Sequence, residues 1–261
     1  MTNQPINLLW TGGWDSTFRF LQIVLDYKYP VQPYYIIDTS RGSTLIEIDT
    51  RNEIIKKVID RYPFAKELIL PTHFSSLAEV VTSPDISDKF QVLKNEMHIG
   101  SQYGWLPMFA GQHGLYDLEL SLEKSDRVTH FNDMDLYEPV QNHPAGHVYQ
   151  IKRSLSDEHP KSIYKYFRFP LLDFTKIDMR KHSKRRGYFD ILNLSWFCFT
   201  PIKGKPCGLC NPCRTAVQEG MDHRLPSESL LRNKYHKAFE TAALIKMTAK
   251  RQMRKVFQEY N

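Results

Sequence analysis

The sequence predicts an α/β protein: a three-layer parallel sheet with helices on both faces, followed by a C-terminal four-cysteine zinc subdomain. Three observations predict it. Short apolar runs alternate with helical segments, the pattern that gives parallel strands joined by right-handed crossovers. A glycine turn, Thr11-Gly12-Gly13, joins the first apolar run to the first amphipathic one. All four cysteines, Cys198, Cys207, Cys210 and Cys213, fall within sixteen residues.

In chain order, Ile6 to Trp10 is an apolar run ending at that turn, and Phe18, Leu21 and Leu25 then follow at helical spacing until Pro30. This reads as strand, glycine turn, helix. Tyr34 to Ile37 reads as a second strand; Leu45, Ile48, Asn52, Ile55, Ile59 and Tyr62 step by threes and fours along one helix face. Glu67 to Leu70 supplies a third strand, and Leu77 to Val81 and Lys89 to Ile99 look helical. Leu115 to Ser162 is polar and punctuated by His143-Pro144 and His159-Pro160, so an insertion or lid is expected at about 115–165. Order returns at Phe167 to Leu171. A helix follows, with Thr175 as its cap, Asp178 as the capping-box partner and Gly187 as its stop.

With 261 residues, 41% of them hydrophobic, the chain can bury a sizeable core. No run approaches the roughly eighteen apolar residues that cross a bilayer, and the N-terminus lacks the pattern of a secretory signal, so a cytoplasmic protein with no membrane partner is expected. The net charge of +6 is unevenly placed: eight Lys or Arg against one Glu between Arg232 and Lys255, seven acids against two bases between Asp117 and Glu138. Each reads first as a solvated face, although a basic C-terminal helix could meet an acidic partner, a second subunit or RNA. Residues 1–190 therefore form the expected α/β domain, 191–225 the zinc-binding subdomain and 226–261 a basic amphipathic helix. Its Phe239, Ala243, Met247, Met253 and Phe257 could pack on a homodimer or protein partner.

The turn "TGGWDST" has a physical use as an anion cradle. Glycines let backbone N–H groups approach a phosphate, and the helix N-terminus adds its positive dipole. Thr11, Ser16 and Thr17 can offer hydroxyls, while Asp15 could orient the loop or help hold Mg2+. An ordinary strand-to-helix turn is the plain alternative. Neither the G-x-x-x-x-G-K-[ST] nor the G-x-G-x-x-G spacing is present. The cysteine spacing, Cys-x8-Cys-x2-Cys-x2-Cys, suits a tetrahedral zinc site, with an iron–sulfur cluster as the chemical competitor. Such clustering is a poor disulfide framework.

The turn resembles the PP-loop, the Ser-Gly-Gly-x-Asp-Ser signature of the ATP pyrophosphatase superfamily, with Thr11 in place of serine. With "SWFCFTPIKGKPCGLCNPC" at Ser195 to Cys213 and "FPLLDFTKIDMRKHSKRRGYF" between them, it is similar to the 7-cyano-7-deazaguanine synthases of queuosine precursor synthesis. The resemblance implies a Rossmann-like sheet of the adenine nucleotide alpha hydrolase type and an ATP-dependent C–N ligase. Such an enzyme adenylates 7-carboxy-7-deazaguanine and releases pyrophosphate, so that ammonia attacks to give the amide, which a second ATP activates for dehydration to the nitrile. ATP, Mg2+ and Zn2+ would be its cofactors. Thr11, Gly12, Gly13, Asp15, Ser16 and Thr17 would hold the nucleotide, and Asp15, Ser16 and Lys176 would serve catalysis. Lys176, in the place of the family's lysine, would offset charge as pyrophosphate leaves; a solvated lysine in a first helical turn is the alternative. Cys198, Cys207, Cys210 and Cys213 would hold the zinc.

The centre departs from the family. Its Tyr-Gly-Gln-x-His, Val-Pro-x-Arg-Asn and Asp-x-Ser-Gly-Tyr-Pro-Asp-Cys stretches are replaced by "IIDTSRGST", "YGWLPMFAGQHG" and "DLELSLEKSDRV". Divergent relatives occur in antiphage operons. A second expectation is therefore the same adenylation with transfer to an amine of a partner protein. A non-enzymatic zinc protein binding RNA through its basic tail is a third; it would be expected to have lost the glycines or Asp15, which are intact. Trp105, Phe109 and His113 form an aromatic stripe that reads as core or as a purine stack, and the scattered His98, His113, His130, His143 and His147 read as loop histidines.

Overall fold

The structure is a computed structural model, and it describes residues 4–97, 99–124 and 133–236. Residues 237–261 of the expected tail helix, Phe239 to Phe257 among them, and His98 and His130 lie outside the described residues. Two compact units are present. The first runs to Ser40 and again from Thr44 to Trp196; the second joins Arg41–Ser43 to the described residues from Phe197 onward.

In the first unit β1 (Ile6–Leu9) leads through the glycine turn into α1 (Trp14–Leu21), which continues as a π-helical turn over Gln22–Asp26. Next come β2 (Val31–Ile37), α2 (Thr44–Arg61), β3 (His73–Ser76), α3 (Pro84–Glu96), α4 (Gln102–Gln112) and β4 (Leu118–Glu119). A hairpin of β5 (Tyr137–Pro139) and β6 (Tyr149–Ile151) precedes β7 (Phe167–Arg168), α5 (Lys176–Arg186) and α6 (Phe189–Leu192). The main sheet has the order β3-β2-β1-β4-β7, and every one of its ladders is parallel. This is the predicted Rossmann-like architecture. From β1 the chain steps outward to β2 and β3, then returns to the other side for β4 and β7, so the direction of winding reverses between β1 and β4.

Helices α1, α2, α5 and α6 pack on one another. A separate group joins α3, α4 and the 3-10 segment Pro160–Tyr166 over a core of Leu106, Phe109, Leu118, Leu120, Phe167 and Phe169. The α5 boundaries follow the predicted signals: the Thr175 hydroxyl accepts from Asp178 N–H, the Asp178 side chain accepts from Thr175 N–H, and Gly187 ends the helix in the left-handed region.

Three local expectations are corrected. Glu67–Leu70 is not the third strand. Residues 63–67 form a 3-10 turn, Ile69 makes an isolated bridge to Val31, and the ladder resumes beyond Pro71, which has no N–H to give it. On α2 the buried face is Glu47, Thr50, Arg51, Ile54 and Val58, while Leu45 is 75% exposed and Asn52 is exposed. Glu47 and Arg51 displace the apolar stripe because each finds partners inside. The segment expected as an insertion or lid begins instead with β4, a central strand.

Candidate active site and metal centre

The glycine turn sits beyond the carboxyl end of β1, at the point where the winding reverses. In open α/β sheets that crevice is where ligands bind. Gly12 adopts φ +77, where a side chain is strained, and a Cβ there would lie 3.0 Å from Arg51 Cγ and 3.3 Å from Glu47 O. The residue must be small because α2 backs directly onto the turn. Gly13 is the N-cap of α1, and its N–H donates to Thr11 Oγ1 at 3.4 Å. Thr11 Oγ1 and Ser16 Oγ lie 3.4 Å apart, and Trp196 N–H donates to Gly12 O at 2.8 Å, fixing the rear of the loop. Thr11, Gly12, Gly13, Asp15 and Ser16 thus share one turn at a helix N-terminus, a geometry suited to an anion.

Thr17 does not join them. It is fully buried, and its hydroxyl accepts from the Trp10 indole N–H at 3.0 Å. One residue beyond Ser16, the helix has rotated its side chain from the mouth into the core.

Lys176, the first residue of α5, forms an ion pair with Glu123 just past β4; the two side chains are 20% and 11% exposed. It is therefore neither a solvated lysine nor an open cation. Tyr103 of α4 stands near this group: burial first, then the negative charges of Asp15 and Glu123, push its phenol up to about 12. Residues from α1, α4, the end of β4 and the start of α5 thus converge beyond the carboxyl ends of the strands.

Two features escaped the sequence reading. Arg51 is 2% exposed and lies over the rings of Trp10, Tyr35 and Phe74 at 4.7, 4.9 and 5.5 Å, donating to Thr72 Oγ1 at 2.8 Å. Desolvation lowers its pKa to about 10, partly offset by Tyr35 and Glu47, so it stays cationic behind the glycine turn at neutral pH. Glu123 is the other. The available signal was the alternation Leu118-Glu119-Leu120-Ser121-Leu122-Glu123, whose three leucines are buried in the core.

The histidines have local partners. His143 Nδ1 accepts from Ala145 N–H at 3.3 Å and Nε2 lies 3.5 Å from Glu119, while the exposed His147 lies 3.4 Å from Asp173. Of the aromatic stripe, Phe109 is core and His113 is exposed, with ring centroids 4.6 Å apart.

In the second unit, the ligand atoms of Cys198, Cys207, Cys210 and Cys213 all lie within 4.8 Å of one another. Two of the sulfur–sulfur separations are 3.8 Å. Metal–sulfur bonds of about 2.3 Å in a tetrahedron give edges of about 3.8 Å. Leu209 N–H and Cys210 N–H donate to Cys207 Sγ at 3.3 and 3.2 Å, and Cys207 N–H to Cys198 Sγ at 3.1 Å, a turn of amides aimed at thiolates. Cys210 is the N-cap of α7 (Asn211–Gln218), so the helix dipole adds to their stabilisation. Hydrogen bonds from Cys198 and Cys213 hold the Cys210 thiol well below its usual range, while contact with Cys210 pushes Cys198 up and contacts with Cys198 and then Cys210 push Cys213 up. Crowded sulfurs cannot all ionise together unless a cation compensates them. The cluster fits a bound zinc.

Helix α8 (Ser227–Lys234) clamps the turn between the second and third cysteines: Arg232 Nε donates to Cys207 O at 2.7 Å and Asn233 Nδ2 to Gly208 O at 3.0 Å. Gly208 has φ +81, and a Cβ there would meet Ser229 O at 2.1 Å.

Among the described residues no helix is long and apolar enough to cross a membrane. Compared with known proteins, the chain matches no family model and no curated relative.

Proposed function

We propose that the protein is an ATP-dependent ligase that adenylates a carboxylate, that of 7-carboxy-7-deazaguanine or a relative, releasing pyrophosphate. Ammonia would then displace AMP to give the amide, and a second ATP would activate the amide oxygen for loss to the nitrile. The observation that carries this reading is the Thr11–Ser16 turn at the start of α1, placed where the sheet reverses its winding. Gly12 and Gly13 clear a path for phosphate oxygens to backbone N–H groups, and the Thr11 and Ser16 hydroxyls can donate to the same oxygens. Bound Mg2+ would neutralise phosphate charge, and Asp15 is the carboxylate that the turn offers it. Lys176 would stabilise negative charge on departing pyrophosphate, in exchange for its pairing with Glu123. Zinc in the cysteine cluster would serve folding, since four sulfurs leave no open coordination position.

A second reading keeps the adenylate but gives it to an amine of a partner protein, in an antiphage role. The absence of the family's substrate stretches from the central region favours it. Both readings are tested by incubating the zinc-loaded protein with ATP, Mg2+ and 7-carboxy-7-deazaguanine, with and without ammonia, and identifying products by mass spectrometry. AMP with amide or nitrile supports the first; AMP without either supports a different acceptor. ADP, or no turnover with any carboxylate, overturns adenylation.

A further inference from the structure

We propose that a cavity at the amino edge of β4 and β7 is a second ligand site, for a nucleoside monophosphate. The cavity measures about 280 Å3, and Lys152, Arg153, Lys165 and Arg168 line it against a single acid, Asp157. Tyr116 precedes β4 and Lys165 precedes β7, whereas the glycine turn follows β1. With the ladders of the main sheet parallel, the cavity and the turn therefore lie at opposite ends of its strands.

The cations are not equally engaged. Lys165 pairs with Asp157 at 3.2 Å, and Arg153, which is exposed, lies 3.9 Å from Glu138. Lys152 and Arg168 form no ion pair among the described residues. Arg168 is half-buried, and its guanidinium, with five donors, makes one described hydrogen bond, from Nη1 to Phe167 O at 3.3 Å. Asp117 acts on it at longer range, but that carboxylate already accepts from Asn7 Nδ2 at 2.8 Å. The one acid in the cavity, Asp157, is taken by Lys165, and a desolvated guanidinium with no carboxylate paired to it is costly unless an anion completes it. A planar fork beside an ammonium suits a phosphate.

The second wall selects what the phosphate is attached to. Tyr116 is 59% exposed and leans on Tyr166, with ring centroids 5.3 Å apart and planes at 34°, presenting an aromatic face on which a base can stack. A neighbouring cavity of about 430 Å3 shares Gln150 and Arg153 with the first. Phosphate charge and a stacking base together define a nucleotide. This site does not depend on whether the glycine turn takes ATP.

The test uses the full chain, an azido-AMP photoprobe, and calorimetric titration with AMP, ribose 5-phosphate and inorganic phosphate. The expected label falls on Tyr116 or on peptides spanning residues 149–168, is competed by AMP, and persists in Asp15→Asn. Arg168→Gln and Lys152→Gln each weaken AMP by about tenfold or more, the scale of a lost charge-assisted contact. Tyr116→Ala weakens AMP but leaves ribose 5-phosphate unchanged. Lys152→Gln removes a partly exposed side chain and carries the test should Arg168→Gln not fold. Label confined to peptides containing Thr11–Thr17, or AMP affinity unchanged in the folded variants, overturns the site. Ribose 5-phosphate binding as tightly as AMP overturns the role of Tyr116.

Discussion

Gly12 and Lys176 are where single residues decide most. A methyl group at position 12 would be strained by its positive φ and would press on Arg51 and the α2 backbone. Gly12→Ala should cost about 1–3 kcal/mol of stability and weaken ATP more than it weakens the fold. Denaturant unfolding beside nucleotide titration would show it; unchanged ATP affinity in a folded variant counts against the cradle. For Lys176, replacement by Met should lower the adenylation rate by roughly a hundredfold while ATP affinity changes less, the signature of charge stabilised mainly in the transition state. A wild-type rate in Lys176→Met would assign the Glu123 pair to structure alone. That Asp15, Ser16 and the two glycines share one strand-to-helix turn was legible in the sequence because the turn is local to seven residues. Thr17 could not be separated from them, because the rotation that buries it is visible only once Trp10 is in place beneath it.

Among the elements, the cysteine module offers the sharpest test. Its ligand spacing was legible, since two-residue gaps bring adjacent thiolates together without help from the rest of the chain. The clamp by α8 was not, because Ser229, Arg232 and Asn233 lie sixteen or more residues beyond the last cysteine and no short-range spacing links them. Gly208→Ala would drive a methyl group into Ser229 O, so α8 must move or the turn must break. The expected outcome is zinc content well below one per chain, read by elemental analysis, in a protein whose first unit still melts cooperatively. Full zinc occupancy with an unchanged melt would contradict the described packing. Strand limits were less legible than helix limits. The caps of α5 announce themselves in Thr175, Asp178 and Gly187, whereas β4 is two residues long and its place in the sheet comes from its neighbours, not its length.

The scale of the whole molecule brings in the buried ion pair that ties helix to sheet. Arg19 of α1 and Glu119 of β4, their side chains 2% and 0% exposed, meet through two hydrogen bonds of 2.7 and 2.6 Å, and Arg19 also donates to Ala145 O at 3.0 Å. Glu119→Gln should cost about 3–5 kcal/mol, because it strands a buried guanidinium. The double variant Arg19→Met with Glu119→Leu should recover most of that loss; equal urea midpoints for single and double variants would refute the coupling.

His143 rests against the same pair. Burial pulls its pKa below 6.5, with Arg19 and Arg168 acting in the same sense and Glu119 and Asp117 opposing them. The unfolded state therefore binds more protons than the folded state in this range. Stability contributed by neutral His143 is present above about pH 6.5 and is lost as pH falls towards the lower folded pKa. His143→Gln should flatten the decline in stability below pH 6.5, measured by denaturant midpoints across pH; an unaltered slope would exclude this residue.

By itself the sequence determined the fold class, the glycine turn at the first strand–helix junction and the cysteine quartet, because each is written in periodicity or spacing over a few residues. Only the tertiary structure decided that Arg51 backs the turn, that Glu123 holds Lys176, that Arg19 pairs with Glu119, and that Lys152 and Arg168 share a cavity. Those pairings join residues from separate elements, and charge placement inside a protein depends on which partners the packed sheet brings within reach.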